Sequence, residues 1–132
     1  MIMNEHLTGS EKVRIGLRAL PYKFHLTGSR YFGGYNEHSD TDYFVQNQRY
    51  LETDLKDLGF TRVISRQTDY QDRDCISIWH HELAAIHIQI VKDAEKKLKI
   101  QQQLKKSTVL SHIPKEKRYL IWDMAYTLLE MK

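Results

Sequence analysis

The segment Ile-His-Ile-Gln-Ile-Val at residues 86–91 leaves this chain few ways to fold, because apolar and polar side chains alternate along it. A repeat of two residues is that of a β-strand, whose successive side chains point to opposite faces of a sheet. The three isoleucines therefore share one face, and His87 and Gln89 share the other. We predict a strand that buries one face in a core and presents polar groups on the opposite face.

The other elements are predicted from the same kind of periodicity and from boundary residues. Thr8 and Glu11 have the spacing of a helix capping box, and Pro21 stops the helix that follows. Further strands are predicted at 24–27, 41–45, 60–65 and 75–79, the last forming a hairpin with 86–91, and further helices at 47–58, 92–106 and 115–131. A loop is expected at 28–39 and a polar stretch at 66–74. At 132 residues, we expect one compact domain, residues 1–132.

Composition excludes several classes of protein. No apolar run approaches the roughly 20 residues needed to cross a bilayer, and charged residues interrupt the first 20 positions, where a signal peptide would be apolar. The only cysteine, Cys75, has no second cysteine for a disulfide or a zinc knuckle. We expect a soluble, cytoplasmic protein that makes no use of a membrane.

Positive charge is concentrated in the last third of the chain. Residues 92–132 carry 10 Lys/Arg against 5 Asp/Glu, whereas residues 1–91 carry 10 against 12. Such a basic segment can attract RNA or another polyanion. A solvated helix face accounts equally for the lysines at 92–106, and we favour that interpretation.

Residues 24–45 carry the clearest chemistry in the sequence. A strand leads into Gly28-Ser29, a loop follows, and Ser39-Asp40-Thr41-Asp42 enters a second strand. Gly28 leaves room for backbone amides and the Ser29 hydroxyl to approach phosphate oxygens. Aspartates two positions apart on a strand point to one face, so Asp40 and Asp42 can hold a hard cation such as Mg²⁺.

This arrangement resembles the signature of the DNA polymerase beta-like nucleotidyltransferases, in particular the small members called minimal nucleotidyltransferases. The residues that carry the resemblance are Gly28-Ser29-Arg30 and Ser39-Asp40-Thr41-Asp42, within a core of about 10–91. The resemblance implies an α/β (α+β) fold with a mixed sheet and flanking helices. The two C-terminal helices beyond the core are predicted from periodicity alone. The resemblance also implies Mg²⁺-dependent (or Mn²⁺-dependent) transfer of a nucleoside monophosphate from a nucleoside triphosphate to an acceptor hydroxyl.

The same resemblance assigns roles to individual residues. Asp40 and Asp42 would carry the metal, Gly28, Ser29 and Ser39 would line the phosphate site, and Arg30 would neutralise triphosphate charge. Active members usually add a third carboxylate from a later strand, and residues 86–91 offer His87 and Gln89 in its place. Glutamine cannot act as a base, but histidine can, and it can also ligate a softer ion such as Mn²⁺.

Two other groups of residues are weighed and set aside. His80-His81-Glu82 could suggest a transition-metal cluster with Cys75, but neighbouring residues on a tight turn diverge, so we predict a solvated hairpin turn. The aromatic residues Trp79, Tyr119, Trp122 and Tyr126 could stack on bases, but their strand and helix spacing favours a place in the core.

Three functions remain open at this point. The first is a nucleotidyltransferase whose acceptor is a small molecule, a protein or an RNA end. The second is a catalytically degenerate binding module of the same fold, an antitoxin or inhibitor, which the missing third carboxylate favours. The third is plain RNA binding through the basic tail, residues 92–132. Because the chain is short, a second copy or a partner protein is expected to complete any acceptor site.

Overall fold

A computed structural model of the chain describes residues 7–63, 74–107, 112–114 and 117–131. Its helices are α1 (Gly9–Ala19), α2 (Ser29–Phe32), α3 (Leu51–Asp57), α4 (Ala94–Ser107) and α5 (Arg118–Glu130). Its strands are β1 (His25–Thr27), β2 (Thr41–Gln46), β3 (Thr61–Arg62), β4 (Cys75–His81) and β5 (Ile86–Val91). The predicted order of elements is confirmed, with α2 added as one helical turn inside the segment predicted as loop. Most of the predicted polar stretch, 66–73, and the end of the predicted third strand lie outside the described residues.

The first helix forms as its boundary residues predict. The Thr8 hydroxyl accepts a hydrogen bond from the Glu11 amide at 3.0 Å, and the Glu11 carboxylate accepts one from the Thr8 amide at 3.3 Å. The helix ends at Ala19, ahead of Pro21, and buries Leu17. Both halves of the predicted capping box are therefore present.

The third helix is shorter than predicted at its start. It begins at Leu51 because Tyr50 adopts a left-handed conformation with φ of 69°, a state that a tyrosine seldom occupies. Its end agrees with the prediction, since Gly59, with φ of 93°, turns the chain away from the helix. The predicted helix at 47–58 thus loses its first turn.

The five strands form one sheet in the order β1-β2-β5-β4-β3. Strands β2 and β5 run parallel, and the other neighbours run antiparallel, so the sheet is mixed. Helices pack on both of its faces. The structure is an α+β fold with a mixed sheet and two C-terminal helices, as the sequence predicted.

The two faces of the sheet have different partners. The isoleucines of β5 lie with Leu17 of α1 and Leu51 and Leu55 of α3 in the largest core cluster. On the opposite face, Phe44 and Val91 pack against the start of α4. The alternation of residues 86–91 is therefore confirmed: the isoleucines are fully buried, and His87 and Gln89 point to the other side.

Helix α4 is fixed to the sheet by glutamine side chains. Gln46 of β2 accepts a hydrogen bond from the Ala94 amide at 2.9 Å and donates one to the Lys92 carbonyl at 2.6 Å. Further along, the Gln101 amide donates to the Leu26 carbonyl of β1 at 3.0 Å. These hydrogen bonds hold α4 against the sheet along its path from the end of β5 to β1. The predicted tail thus packs on the sheet that carries the predicted site.

The solvated-face interpretation expected the lysines of α4 to face solvent. One of them, Lys97, does not. Lys97 is only 3% exposed, and its ammonium lies 4.3 Å from the centre of the Trp122 ring and 5.4 Å from that of Phe44. A buried ammonium over aromatic faces is held by cation–π attraction. Lys97 therefore joins α4, α5 and the sheet.

The aromatic residues follow the predicted core with one exception. Trp79, Trp122 and Tyr126 are buried. Tyr119, in the first turn of α5, is 42% exposed, so its assignment to the core was wrong. In the part of the chain that the structure describes, every helix is too short or too polar to cross a membrane.

Candidate active site

A row of polar residues crosses one face of the sheet from edge to edge. Strand register aligns Thr27 with Asp42, Asp42 with His87, His87 with His80, and His80 with Thr61. Directly paired residues share a face, so all five side chains lie on the same side of the sheet. This is the side opposite the isoleucines of β5. The row places predicted site residues from two strands beside one another.

At the centre of the row, two carboxylates lie close to the imidazole of His87. The Nδ1 atom of His87 lies 3.0 Å from Oδ2 of Asp40 and 3.6 Å from Oδ1 of Asp42. Asp40 comes two residues before Asp42, just ahead of β2, and turns to the same side. The side chains are 42% (Asp40), 24% (Asp42) and 33% (His87) exposed, so solvent and a ligand can reach them. The structure therefore brings together three of the four residues predicted to be catalytic.

Gly28 packs directly against this cluster. It has φ of 69°, which favours glycine, and a Cβ atom added there would lie 2.9 Å from Cγ of Asp42 and overlap its carboxylate oxygen. The glycine thus lets the chain pass beside Asp42, next to the polar row. Ser29 follows as the first residue of α2. The contact of both residues with phosphate stays a prediction.

Arg30 and Ser39 hold the loop between β1 and β2. The Arg30 guanidinium donates to the Ser39 carbonyl at 3.0 Å and lies 5.0 Å from the centre of the Tyr35 ring. The Ser39 hydroxyl accepts from the Asn36 amide at 2.9 Å. These groups shape the approach to Asp40. A phosphate contact from Arg30 or Ser39 stays a prediction.

Gln89 lies behind the site rather than in it. It shares the face of His87, one row deeper, between Phe44 and Ile78 in the register, and is only 7% exposed. Its side-chain oxygen is buried and accepts no hydrogen bond from any described residue. Gln89 is therefore too deeply buried for a substrate to reach it.

His80 is a member of the site that the sequence prediction missed. The hairpin was expected to turn near 80–82, but β4 runs to His81 and the turn occupies 82–85, so the solvated-turn prediction was wrong for His80. The His80 ring stacks on that of His87, with 4.1 Å between ring centres and 18° between planes. With a turn at 82–85, residues 80 and 87 are direct partners in the hairpin. The sequence would have identified His80 if the turn had been assumed to have four residues.

His81 diverges from its neighbour, as two adjacent residues were expected to do. Its Nδ1 atom accepts a hydrogen bond from the Ala84 amide at 3.2 Å, and its ring lies 5.2 Å from that of Phe60. Alternation along β4 sends it to the isoleucine side of the sheet. Only one of the two adjacent histidines therefore belongs to the polar row.

Comparison with known proteins gives no information about this site. The chain matches no protein-family model, no curated protein and no solved structure. The fold and the cluster define an α+β protein with a carboxylate–histidine centre on one face of its sheet.

One row below the centre, His25 gives the fold a pH dependence. Its ring stacks on Phe44, and burial, together with the nearby charge of Lys23, holds the pKa of His25 below its ordinary value of 6.5. The unfolded chain therefore takes up a proton more readily than the folded chain, and stability falls as pH drops from 6.5 towards the lower folded pKa. We expect urea unfolding of His25→Phe to show a shallower loss of stability in this window than wild type. An identical pH dependence in the two proteins would contradict this assignment.

Proposed function

We propose that this protein is a divalent-metal-dependent nucleotidyltransferase, which moves a nucleoside monophosphate from a nucleoside triphosphate to an acceptor hydroxyl. The observation that carries the proposal is the convergence of Asp40, Asp42 and His87 beside Gly28. The resemblance of residues 28–45 to the nucleotidyltransferase signature supports the same function. The side chains of Asp40, Asp42 and His87 are partly exposed, so a triphosphate can reach them.

The two separations measured from His87 are close to those between ligands of one divalent cation. Bonds of about 2.1 Å place adjacent ligands of one ion about 3.0 Å apart in an octahedron and about 3.4 Å apart in a tetrahedron. The Nδ1 atom of His87 lies 3.0 Å and 3.6 Å from the two carboxylate oxygens, close to these values. Asp40, Asp42 and His87 would hold the ion, with His87 in the place of the usual third carboxylate. Three donors on one side leave the remaining positions for phosphate and solvent.

When bound, the ion would offset phosphate charge and favour attack on the α-phosphorus. The acceptor oxygen forms a bond to that phosphorus, the bond to the bridging oxygen between the α- and β-phosphates breaks, and pyrophosphate leaves. The acceptor proton passes to solvent. Asp40 and Asp42 would hold the ion, without which their negative charges would repel the triphosphate, and Gly28 and Ser29 leave the backbone open to phosphate oxygens.

A second candidate, the binding module without turnover, is favoured by one observation. Strand β5 presents no carboxylate, and its second polar residue on this face, Gln89, is buried. A protein of this kind would bind metal and nucleotide and would release no pyrophosphate. Nucleotide binding is common to both candidates, and pyrophosphate release separates them.

Calorimetry tests the shared step without knowledge of the acceptor. We expect one of ATP, GTP, CTP and UTP to bind wild type only when Mn²⁺ or Mg²⁺ is present. The Asp40→Asn/Asp42→Asn variant should bind that nucleotide at least about 100-fold more weakly, since an amide cannot replace a carboxylate as a charged ligand. Asp57→Asn, an exposed carboxylate on α3, is the matched control and should bind as wild type does. Failure of folded wild type to bind any of the four with either metal would refute the proposal.

A further inference from the structure

We infer that His80 is an additional ligand of this centre and makes it selective for a borderline transition-metal ion, of the class Mn²⁺, Co²⁺ or Zn²⁺, over Mg²⁺. The inference rests on the metal site of the proposed function and extends it to the identity of the ion. It does not depend on turnover.

The position of His80 supports ligation. Asp40, His80 and His87 each offer one ligand atom, and these atoms all lie within 4.8 Å of one another. Donors of a single ion lie about 3.0 Å apart when adjacent and about 4.2 Å apart when opposite. Side-chain movements of about 1 Å therefore close the set around one ion. The partly exposed positions of the three residues leave room for that movement.

The backbone already holds the two histidines in place. His80 and His87 are direct partners in the antiparallel pair of β4 and β5, and their rings are nearly parallel. Asp40 then approaches the Nδ1 atom of His87 from the start of β2. The ligand set thus comes from three neighbouring strands or strand ends, and does not depend on the ordering of a long loop.

The donor chemistry decides which ion is favoured. Mg²⁺ prefers oxygen ligands and gives up water reluctantly, so an imidazole adds little to its binding. Imidazole nitrogen suits Zn²⁺, Co²⁺ and, more weakly, Mn²⁺, whose affinities follow the general order of first-row metals. Each histidine in the set therefore favours the transition ion over Mg²⁺. With His80 and His87 both ligating, a cell's excess of Mg²⁺ no longer determines which ion is bound.

Cobalt is the probe, because its visible spectrum reports nitrogen ligation directly. Wild type should give a Co²⁺ absorption spectrum of a mixed nitrogen and oxygen site. His80→Phe keeps a ring to stack on His87 and removes the nitrogen atoms. We expect this variant to bind Co²⁺ at least about tenfold more weakly by calorimetry and to lose part of the visible absorption, while its Mg²⁺ affinity stays within about twofold of wild type.

Further variants keep the result open to contradiction. His80→Gln repeats the test without the added ring, should His80→Phe fail to fold by circular dichroism, and His112→Phe removes an exposed histidine as a control. Unchanged Co²⁺ affinity and spectrum in a folded His80 variant would overturn the inference, even if nucleotide binding still required Asp40 and Asp42. If wild type binds no nucleotide, the proposed function fails. Weaker Co²⁺ binding by the His80 variants would still support the inference in that case.

Discussion

Replacing Asp42 with Asn should reduce nucleotidyl transfer by at least about 1,000-fold while leaving the fold intact. Asp42 faces the site from β2, is aligned with His87 in the sheet and lies against Gly28. The substitution keeps the size of the side chain and removes its charge. In the proposed reaction this variant would hold the metal less tightly, and because charge develops in the transition state, the loss would be larger in the reaction than in nucleotide binding alone.

The measurement is pyrophosphate release from the nucleotide that calorimetry selects, with small hydroxyl compounds, proteins and RNA supplied as acceptors. The melting temperature of Asp42→Asn should stay within about 5 °C of wild type, since a partly exposed carboxylate contributes little to stability. Asp57→Asn should retain full activity. A folded Asp42→Asn variant with more than a tenth of wild-type activity would exclude Asp42 from the reaction.

Gly28→Ala should disable the same site by a different route. The backbone at Gly28, with φ of 69° and ψ of −159°, lies in a region that is essentially reserved for glycine and costs an alanine about 1–3 kcal/mol, and the added methyl group would displace the Asp42 carboxylate. We expect the free energy of unfolding to fall by about 1–3 kcal/mol and Mn²⁺ affinity to fall by at least about tenfold. Urea unfolding and calorimetric titration with Mn²⁺ measure the two effects.

Gly9→Ala is the matched control for this substitution. Gly9 begins α1, and a methyl group there would meet only the end of the Leu83 side chain, which is 68% exposed and free to move. An alanine in a helix is favoured over glycine by up to about 1 kcal/mol, so this variant should be as stable as wild type or slightly more stable. If Gly28→Ala behaved like Gly9→Ala in both measurements, the close packing of Gly28 on Asp42 would contribute neither to stability nor to Mn²⁺ binding.

Local patterns in the sequence predict most of this fold. The alternation of residues 86–91 and the capping box at Thr8 depend on neighbouring residues only, and both form as predicted. The spacing of Asp40 and Asp42 places both on the side of His87 for the same reason. These features need no knowledge of distant parts of the chain.

The features that were missed depend on register and on packing between elements. His80 enters the site because β4 continues two residues beyond its apolar run, and pairing with β5 stabilises that extension. Lys97 is buried because α5 and the sheet enclose it from opposite sides, which the lysine-rich sequence of α4 does not reveal. The local sequence also does not indicate that Tyr50 adopts a left-handed conformation, which makes α3 begin at Leu51.

The central claim is that a divalent ion binds where Asp40, Asp42 and His87 converge. Paramagnetic broadening by Mn²⁺ tests it most directly, because a bound Mn²⁺ ion broadens the amide signals of nearby residues in the nitrogen–proton spectrum of the labelled protein. We predict that substoichiometric Mn²⁺ broadens the signals of Gly28, Asp42 and His87 first and most strongly. Uniform broadening, or broadening confined to another part of the chain, would contradict the account.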